Sequence, residues 1–373
     1  MVNRIIIFKG SKRDFDFLLK QLVRNNSYTP FMELIQTYNA RLRPNESGVK
    51  ETELGRKINI EFCVVKADDY ASVLPHVLSN FSNIVTLNSN INCLIVHNPP
   101  RRVEDSLRTY DTSIIEYQYS QYEDLSKNKL KEIYEELNQD VLGQVQCKKS
   151  MISGLYKLYK EQNDKPVVLM FYGPSGVGKT ESAKSISRAL GGDLLRIQFS
   201  MMQSNEAFNY VFGSEHSNSS LAKDMLSRES NVILIDEFDK VDPRFYNAFY
   251  ELFDEGKYKD TNYEVDLRQS IFICTANFMD EDIIKKTLGP AMFSRFSELI
   301  KFEELEKMQK LAVLNKWYKE ILEKLDNEEK QIIKTSTILE WFRENVERYN
   351  NIRIMKTKLE NAIFRKLTER YIF

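Results

Sequence analysis

The sequence predicts an α/β protein with a parallel sheet in its middle part, a smaller α/β region before that sheet and a helical segment after it. Three short apolar runs, each followed by polar residues, are typical of strands buried on both faces of a parallel sheet. These runs are Val167–Tyr172, Asn231–Asp236 and Ser270–Thr275. Five of the 13 glycines fall between Gly173 and Gly192, directly after the first run, where the backbone needs conformational freedom. From residue 303 onwards, apolar residues recur at helical spacing.

The composition is typical of a soluble globular chain of two or three domains, with 42% hydrophobic and 29% charged residues among 373. The 53 Lys and Arg residues balance 54 Asp and Glu residues, so no basic excess indicates a nucleic-acid partner. Four cysteines without CxxC spacing and three histidines argue against disulfides, zinc sites and histidine triads. Neither a signal peptide nor a membrane span is predicted, and the expected location is the cytoplasm.

The first apolar run is followed by Gly173–Thr180, GPSGVGKT, which fits the phosphate-binding pattern G-x-x-x-x-G-K-[ST]. A predicted helix begins at its end, so the backbone N–H groups of the loop and of the helix can bind phosphate. Lys179 would add a positive charge, and the hydroxyl of Thr180 would ligate Mg²⁺. The alternative is a chance glycine-rich turn. The predicted binding residues are Pro174, Ser175, Gly176, Val177, Gly178, Lys179, Thr180 and Glu181.

The other two apolar runs also end in residues that are candidates for metal binding or catalysis. Asp236 is expected to hold Mg²⁺ through its water shell, and Glu237 is the candidate base that activates water. An acidic turn in which the aspartate caps a helix is the alternative. Asn277, after the third run, would orient the same water or cap the helix that begins at Met279 or Asp280, and both interpretations stay open.

In this order, the motifs resemble those of AAA+ ATPases, and within them those of the Clp chaperone branch, over about residues 136–373. The resemblance implies a P-loop three-layer α/β sandwich with a helical lid, ATP and Mg²⁺ as cofactors, and ATP hydrolysis. It places Leu142 and Gly143, within DVLGQV, against adenine. It makes Arg295, within GPAMFSRFSELIKF, an arginine finger acting in trans. It makes Arg353 the sensor 2 arginine acting in cis, although the family usually has Gly-Ala before it and this chain has Asn-Ile.

The resemblance to a family with a trans-acting arginine implies a ring or spiral homo-oligomer. Three domains are expected: 1–125, a small α/β domain of unknown role, 126–302, the large ATPase subdomain, and 303–373, the lid. Within the first, residues 25–57 are expected to be loop-rich. Strands are predicted there at Arg4–Phe8, Ile58–Val65, Asn92–Val96 and Ser113–Tyr119.

Protein-threading Clp ATPases carry an aromatic pore loop, whereas the corresponding stretch here, SEHSNSS after Gly213, has no Phe, Tyr or Trp. Torsins resemble the Clp branch without that aromatic residue, but they lack the arginine finger. The expected function is an oligomeric ATPase that remodels or regulates a protein partner. The alternative is a nucleotide-gated assembly module that activates an effector in a bacterial defence or mobile-element system. A nucleic-acid motor or loader and an inactive nucleotide-binding scaffold are the remaining alternatives.

Overall fold

The computed structural model describes residues 1–24, 27–42, 57–161, 165–202 and 204–372. Along this part of the chain, two parallel sheets follow one another and a helical segment completes the fold. Among the described residues, none of the helices has the length and apolar character that crossing a membrane requires.

The first sheet has five strands in the order β2-β3-β4-β1-β5, and all of its pairings are parallel. Apolar clusters fill both of its faces, as expected for a parallel sheet covered by helices. The strands are β1 (Val2–Lys9), β2 (Thr29–Pro30), β3 (Ile58–Val65), β4 (Ser89–His97) and β5 (Ile115–Tyr119). The helices are Lys12–Val23, Phe31–Leu42, Pro75–Ser79, Phe81–Leu87 and Arg101–Tyr110.

The expectation of a loop-rich stretch over residues 25–57 is wrong where the structure describes it. Phe31–Leu42 is a helix, and Phe31 is fully buried in the apolar cluster on one face of the sheet. Burial of Phe31 against the sheet therefore stabilises this helix, which follows directly on β2. Residues 25, 26 and 43–56 of the same stretch lie outside the described residues.

The second sheet has the strand order β12-β6-β11-β8-β7, again with parallel pairings. Every residue of its three central strands is buried because helices cover both faces, which gives three layers. The strands are β6 (Val167–Tyr172), β7 (Leu195–Gln198), β8 (Val232–Asp236), β11 (Ile271–Thr275) and β12 (Glu298–Lys301). The antiparallel hairpin β9 (Lys257–Lys259) and β10 (Glu264–Asp266) precedes β11. The helices are Lys127–Asp140, Val145–Glu161, Lys179–Ala189, Ser204–Phe212, Leu221–Leu226, Tyr246–Glu255 and Glu281–Phe293.

The last segment is helical, as its apolar spacing predicts, and it packs around an apolar cluster of its own. Leu314, Met355 and Leu359 are fully buried at the centre of this cluster. The helices are Lys307–Glu323, Asn327–Lys334, Ile338–Glu344 and Ile352–Tyr371.

The loops at the carboxyl edge of the first sheet contact the part of the chain that contains the second sheet. The backbone N–H of Arg101 donates a hydrogen bond to the carbonyl of Asn262, in the β9–β10 turn, at 2.7 Å. Nε2 of His216 lies 2.9 Å from the carbonyl oxygen of Val73. The first sheet is therefore fastened to the second through loops of both.

A buried arginine lies at this junction. Arg228 is 7% exposed, and its guanidinium donates hydrogen bonds to the carbonyl of Met225 at 2.8 Å and to Oδ1 of Asn231 at 3.1 Å. The ring of Tyr122, in the segment that joins the two sheets, covers it at 4.4 Å from Cζ. Burial lowers the pKa of Arg228. Its positive charge is stabilised by neutral hydrogen-bond acceptors and by the face of the Tyr122 ring.

We expect Tyr122→Ala to lower the free energy of unfolding by about 2 kcal/mol, since it removes both the packing and the cation–π contact over Arg228. Tyr122→Phe keeps the ring and loses only the hydrogen bond from the hydroxyl to the carbonyl of Arg228, at 3.3 Å, so its cost should stay below about 1 kcal/mol. Urea denaturation of the two variants measures the difference. Equal losses for both variants would contradict the role of the ring.

Candidate functional site

A cavity of about 690 Å³ lies between the carboxyl edge of the second sheet and the helical segment. Its position follows from the parallel strands, whose carboxyl ends meet at one edge. Most of the residues that the sequence analysis selected line this cavity. They are Leu142, Ser175, Gly176, Val177, Gly178, Lys179, Thr180, Glu181, Asp236, Glu237, Asn277 and Arg353.

The glycine-rich loop takes a backbone conformation that suits glycine. Gly176 has φ +80° and Gly178 has φ +106°, both in the left-handed region. Gly178 is also the N-cap of helix Lys179–Ala189, and a Cβ there would lie 3.0 Å from Val141. The first N–H groups of a helix have no partner within the helix, so this N-terminus can bind an anion.

Lys179 at the start of that helix is 8% exposed. Its Nζ donates hydrogen bonds to the carbonyls of Gly173 at 2.6 Å and Pro174 at 2.7 Å, and to Oδ1 of Asn277 at 3.2 Å. Burial lowers its pKa to about 8, and the nearby positive charge of Arg353 adds to this effect. A bound anion would therefore favour the protonated form.

The carboxylate of Asp236 is buried and already paired within the chain. Its Oδ2 accepts hydrogen bonds from Nε and Nη2 of Arg196, at 2.9 and 2.5 Å, and its Oδ1 accepts one from the hydroxyl of Thr275. The capping alternative is wrong here, since the N-cap position of the following 3₁₀ turn belongs to Glu237, whose side chain makes no capping bond.

Glu237 has φ +56° and ψ +48°, a left-handed conformation that is strained for a residue with a side chain. Its carboxylate accepts hydrogen bonds from Ser200 Oγ at 2.5 Å and Gln198 Nε2 at 3.2 Å. Strain of this kind is typical of functional sites. Asn277 does not cap the next helix, because Asp280 takes that position and accepts the N–H of Ile283.

The helical segment contacts the glycine-rich loop through Asn351, the N-cap of helix Ile352–Tyr371. Its Oδ1 accepts the N–H of Arg353 at 2.9 Å, and its Nδ2 donates to Ser175 Oγ in the glycine-rich loop, also at 2.9 Å. The asparagine that stands where the family usually has glycine therefore caps the helix and joins it to the loop. Trp317 lines the cavity too, with Nζ of Lys356 at 5.6 Å from its ring.

Three selected residues, Gly143, Pro174 and Arg295, are not part of the cavity lining. Gly143 packs against the side chain of Gln309. Arg295 is held by its own chain, through hydrogen bonds from Nε and Nη2 to Asp254 Oδ2 at 3.0 and 2.7 Å. Pro174 contributes only its carbonyl, which accepts from Lys179.

Sequence reasoning missed Arg196, Gln198, Ser200 and Trp317. Arg196 and Gln198 alternate with apolar residues on β7, and Gln198 lies beside Asp236 in the register of β7 and β8. The alternation is visible in the sequence, but the pairing of these two strands is not. Trp317 is one of two tryptophans, and its helical position alone does not distinguish a cavity residue from a core residue.

Comparisons with known proteins match the part of the chain that contains this cavity. The family model described as the AAA domain (Cdc48 subfamily) matches residues 164–339. The chaperone protein ClpB of Wolinella succinogenes is 27% identical over 235 residues, which cover 55% of this chain and 27% of that protein. The Clp protease ATP-binding subunit ClpL of Staphylococcus aureus is 24% identical over 280 residues, covering 68% of this chain and 40% of that protein. The chain thus spans well under half the length of these curated relatives.

A solved structure supports the fold. The closed state of Hsp104 with ATPγS and FITC-casein superposes with a TM-score of 0.55 and 14% identity, covering 99% of this chain and 88% of that chain. The chain therefore shares the fold of that structure, a three-layer α/β architecture with a helical end.

We expect the affinity for ATP to weaken above pH 8, because the pKa of Lys179 in the free protein is about 8. Below that pH the ammonium is already protonated and affinity is constant; above it, binding must take up a proton, and affinity falls about tenfold per pH unit. Calorimetric titration from about pH 7 to about pH 9.5 measures this profile. Lys179→Arg is the control, since its charge persists and its profile should be flat. A flat wild-type profile would contradict the perturbed lysine.

Trp317 should report on ligand binding, because it lines the cavity and Trp341, the other tryptophan, does not. We expect ATP to change the intrinsic fluorescence of the wild type and of Trp341→Phe, and to leave that of Trp317→Phe unchanged. If Trp341→Phe loses the fluorescence change and Trp317→Phe keeps it, ATP binds outside this cavity.

Proposed function

Since this chain is a Clp-like AAA+ protein, we propose that it binds ATP with Mg²⁺, hydrolyses it in a ring or spiral of identical copies, and thereby remodels or regulates a protein partner. The observation that carries the proposal is that the glycine-rich loop, both carboxylates, Asn277 and Arg353 face one cavity. Residues 126–302 would form the large ATPase subdomain, 303–373 its lid, and 1–125 a domain for recruitment.

The chain's own groups suit a triphosphate. The N–H groups of the loop and helix N-terminus bind phosphate oxygens, and Lys179 moves from backbone carbonyls to the phosphates. Thr180 and Asp236 provide the hard oxygen donors that Mg²⁺ prefers, and Mg²⁺ would supply charge neutralisation at the phosphates. Among the described residues, there is no cluster of three or more His, Cys, Asp or Glu side chains that could hold a metal.

Glu237 is the base that takes a proton from the attacking water. To do so its carboxylate must leave Ser200 and Gln198, with which it is hydrogen-bonded in this structure. Asn277, which bonds Lys179, orients that water from the neighbouring strand. Arg353 adds positive charge from the lid of the same chain, and Leu142 borders the adenine end of the cavity.

The polar loop that replaces the aromatic pore loop favours a second candidate, the nucleotide-gated assembly module. Asn262 Nδ2 donates to the carbonyl of Ser214 at 2.9 Å, and His216 contacts Val73 of the first sheet. The loop is thus held by intramolecular contacts. An assembly module assembles with ATP but does not unfold a tagged fluorescent protein, whereas a remodelling ATPase does both.

Glu237→Gln tests the proposed chemistry. We expect it to keep ATP binding and ATP-dependent assembly and to lower turnover at least about 100-fold, because the amide cannot accept the proton. Steady-state phosphate release and equilibrium ATP binding separate the two effects. Lys179→Ala is the matched control that should lose binding itself.

Turnover of Glu237→Gln at the wild-type rate would exclude Glu237 as the base. In an affinity purification with ATP, Glu237→Gln should retain the protein partner because it stays assembled. Lys179→Ala, which should not bind ATP, should not retain it.

A further inference from the structure

We propose that Asp254 and Tyr250 are positioning residues, which fix Arg295 as a rigid donor for the γ-phosphate of ATP bound to a second copy of this chain. This inference rests on the proposed function and adds to it two residues that orient the arginine. Asp254 and Tyr250 both lie on helix Tyr246–Glu255, one helical turn apart, so they reach Arg295 from the same side.

The guanidinium is held on three sides. Nε and Nη2 donate to the same oxygen of Asp254, at 3.0 and 2.7 Å, and Nη1 donates to the carbonyl of Ala291 at 2.5 Å. The ring of Tyr250 lies 4.2 Å from Cζ and covers one face of the plane. Only 21% of the side chain of Arg295 is exposed.

The bonds that remain free define what Arg295 can still bind. A guanidinium has five N–H bonds, and the three contacts above use one on Nε, one on Nη1 and one on Nη2. One N–H on each Nη has no acceptor among the residues that the structure describes. Two N–H bonds on neighbouring nitrogens suit two oxygens of one phosphate.

The phosphate must belong to another copy because of where Arg295 lies. It comes just before β12, and the N–H of Ser297 bonds the carbonyl of Val168 at the amino end of β6. The glycine-rich loop begins after the carboxyl end of β6, at Gly173. Five residues at about 3.3 Å each separate these ends by about 16 Å, which is more than an arginine side chain spans.

Two effects of Asp254 oppose each other. Its carboxylate reduces the net charge that a phosphate meets, but its side chain is 47% exposed, and solvent screens such a pair strongly. An unrestrained arginine would lose its rotamer freedom when the phosphate binds, whereas the clamped side chain is already ordered. The ordering effect is the larger, so Asp254 favours turnover.

The test compares Asp254→Ala, Tyr250→Leu and wild type by ATP turnover, ATP affinity and oligomeric state. We expect Asp254→Ala to lower kcat about tenfold or more with ATP affinity and assembly unchanged, and Tyr250→Leu to lower it less. Asp242→Ala is the matched control, since it removes a similar aspartate–arginine pair, with Arg244, from an exposed turn. Its turnover should equal that of the wild type.

Mixing provides a readout that a merely structural defect would not change. Asp254→Ala copies keep intact nucleotide sites, and Lys179→Ala copies keep an intact Arg295 clamp. Co-assembly should therefore raise turnover above that of either variant alone. No recovery in proven mixed assemblies, or turnover of Asp254→Ala at or above the wild-type rate, would overturn the inference.

Arg295→Ala separates this inference from the function on which it rests. If Arg295→Ala loses turnover while Asp254→Ala keeps it, the positioning role alone is wrong. If Arg295→Ala turns over ATP as the wild type does, the trans-acting arginine is wrong, and the positioning role fails with it.

Discussion

The rest of the structure depends on the parallel pairing of three strands that are buried on both faces. β11 pairs with β6 on one side and with β8 on the other, and no residue of the three is exposed. A buried apolar strand cannot carry an unpaired charge along its length, so ionisable groups collect where the strands end. Parallel direction puts these ends at one edge. Lys179, Asp236 and Asn277, far apart in sequence, therefore meet at the cavity.

The charged groups at that edge already have hydrogen-bond partners within the chain. The ammonium of Lys179 is held by carbonyl oxygens, the carboxylate of Asp236 by Arg196, and that of Glu237 by Ser200. Binding of an anionic ligand with a metal would have to exchange these partners. The site is thus ordered before a ligand arrives, and the exchange of partners gives each group a second arrangement. Asn351, which joins helix Ile352–Tyr371 to the glycine-rich loop, connects that loop to the position of the helix.

The sequence predicts the features that depend on neighbouring residues. Apolar runs, the glycine-rich pattern and the acidic pair are local, and the predicted strands lie close to their observed bounds, whereas β2, β7 and β12 are not predicted. It does not predict contacts that depend on strand order or on long-range packing. Arg196 reaches Asp236 only because β7 lies beside β8, and Arg295 meets Asp254 across 41 positions of the sequence. The helix Phe31–Leu42 is missed for a related reason, since its stability comes from burial against a distant sheet.

The attachment of the first sheet to the second part of the chain has a consequence for ligand binding at the first sheet. In open α/β sheets, small molecules are held in the crevice outside the carboxyl ends of the strands. Here the residues at that edge are bonded to one another and to the second part of the chain: Asn98 Oδ1 accepts the N–H of Gly10, Ser120 Oγ accepts the N–H of Ser11, and Asn98 Nδ2 donates to Ser227 Oγ across the junction. A ligand at this edge would therefore meet some of the same residues that attach the first sheet to the second part of the chain.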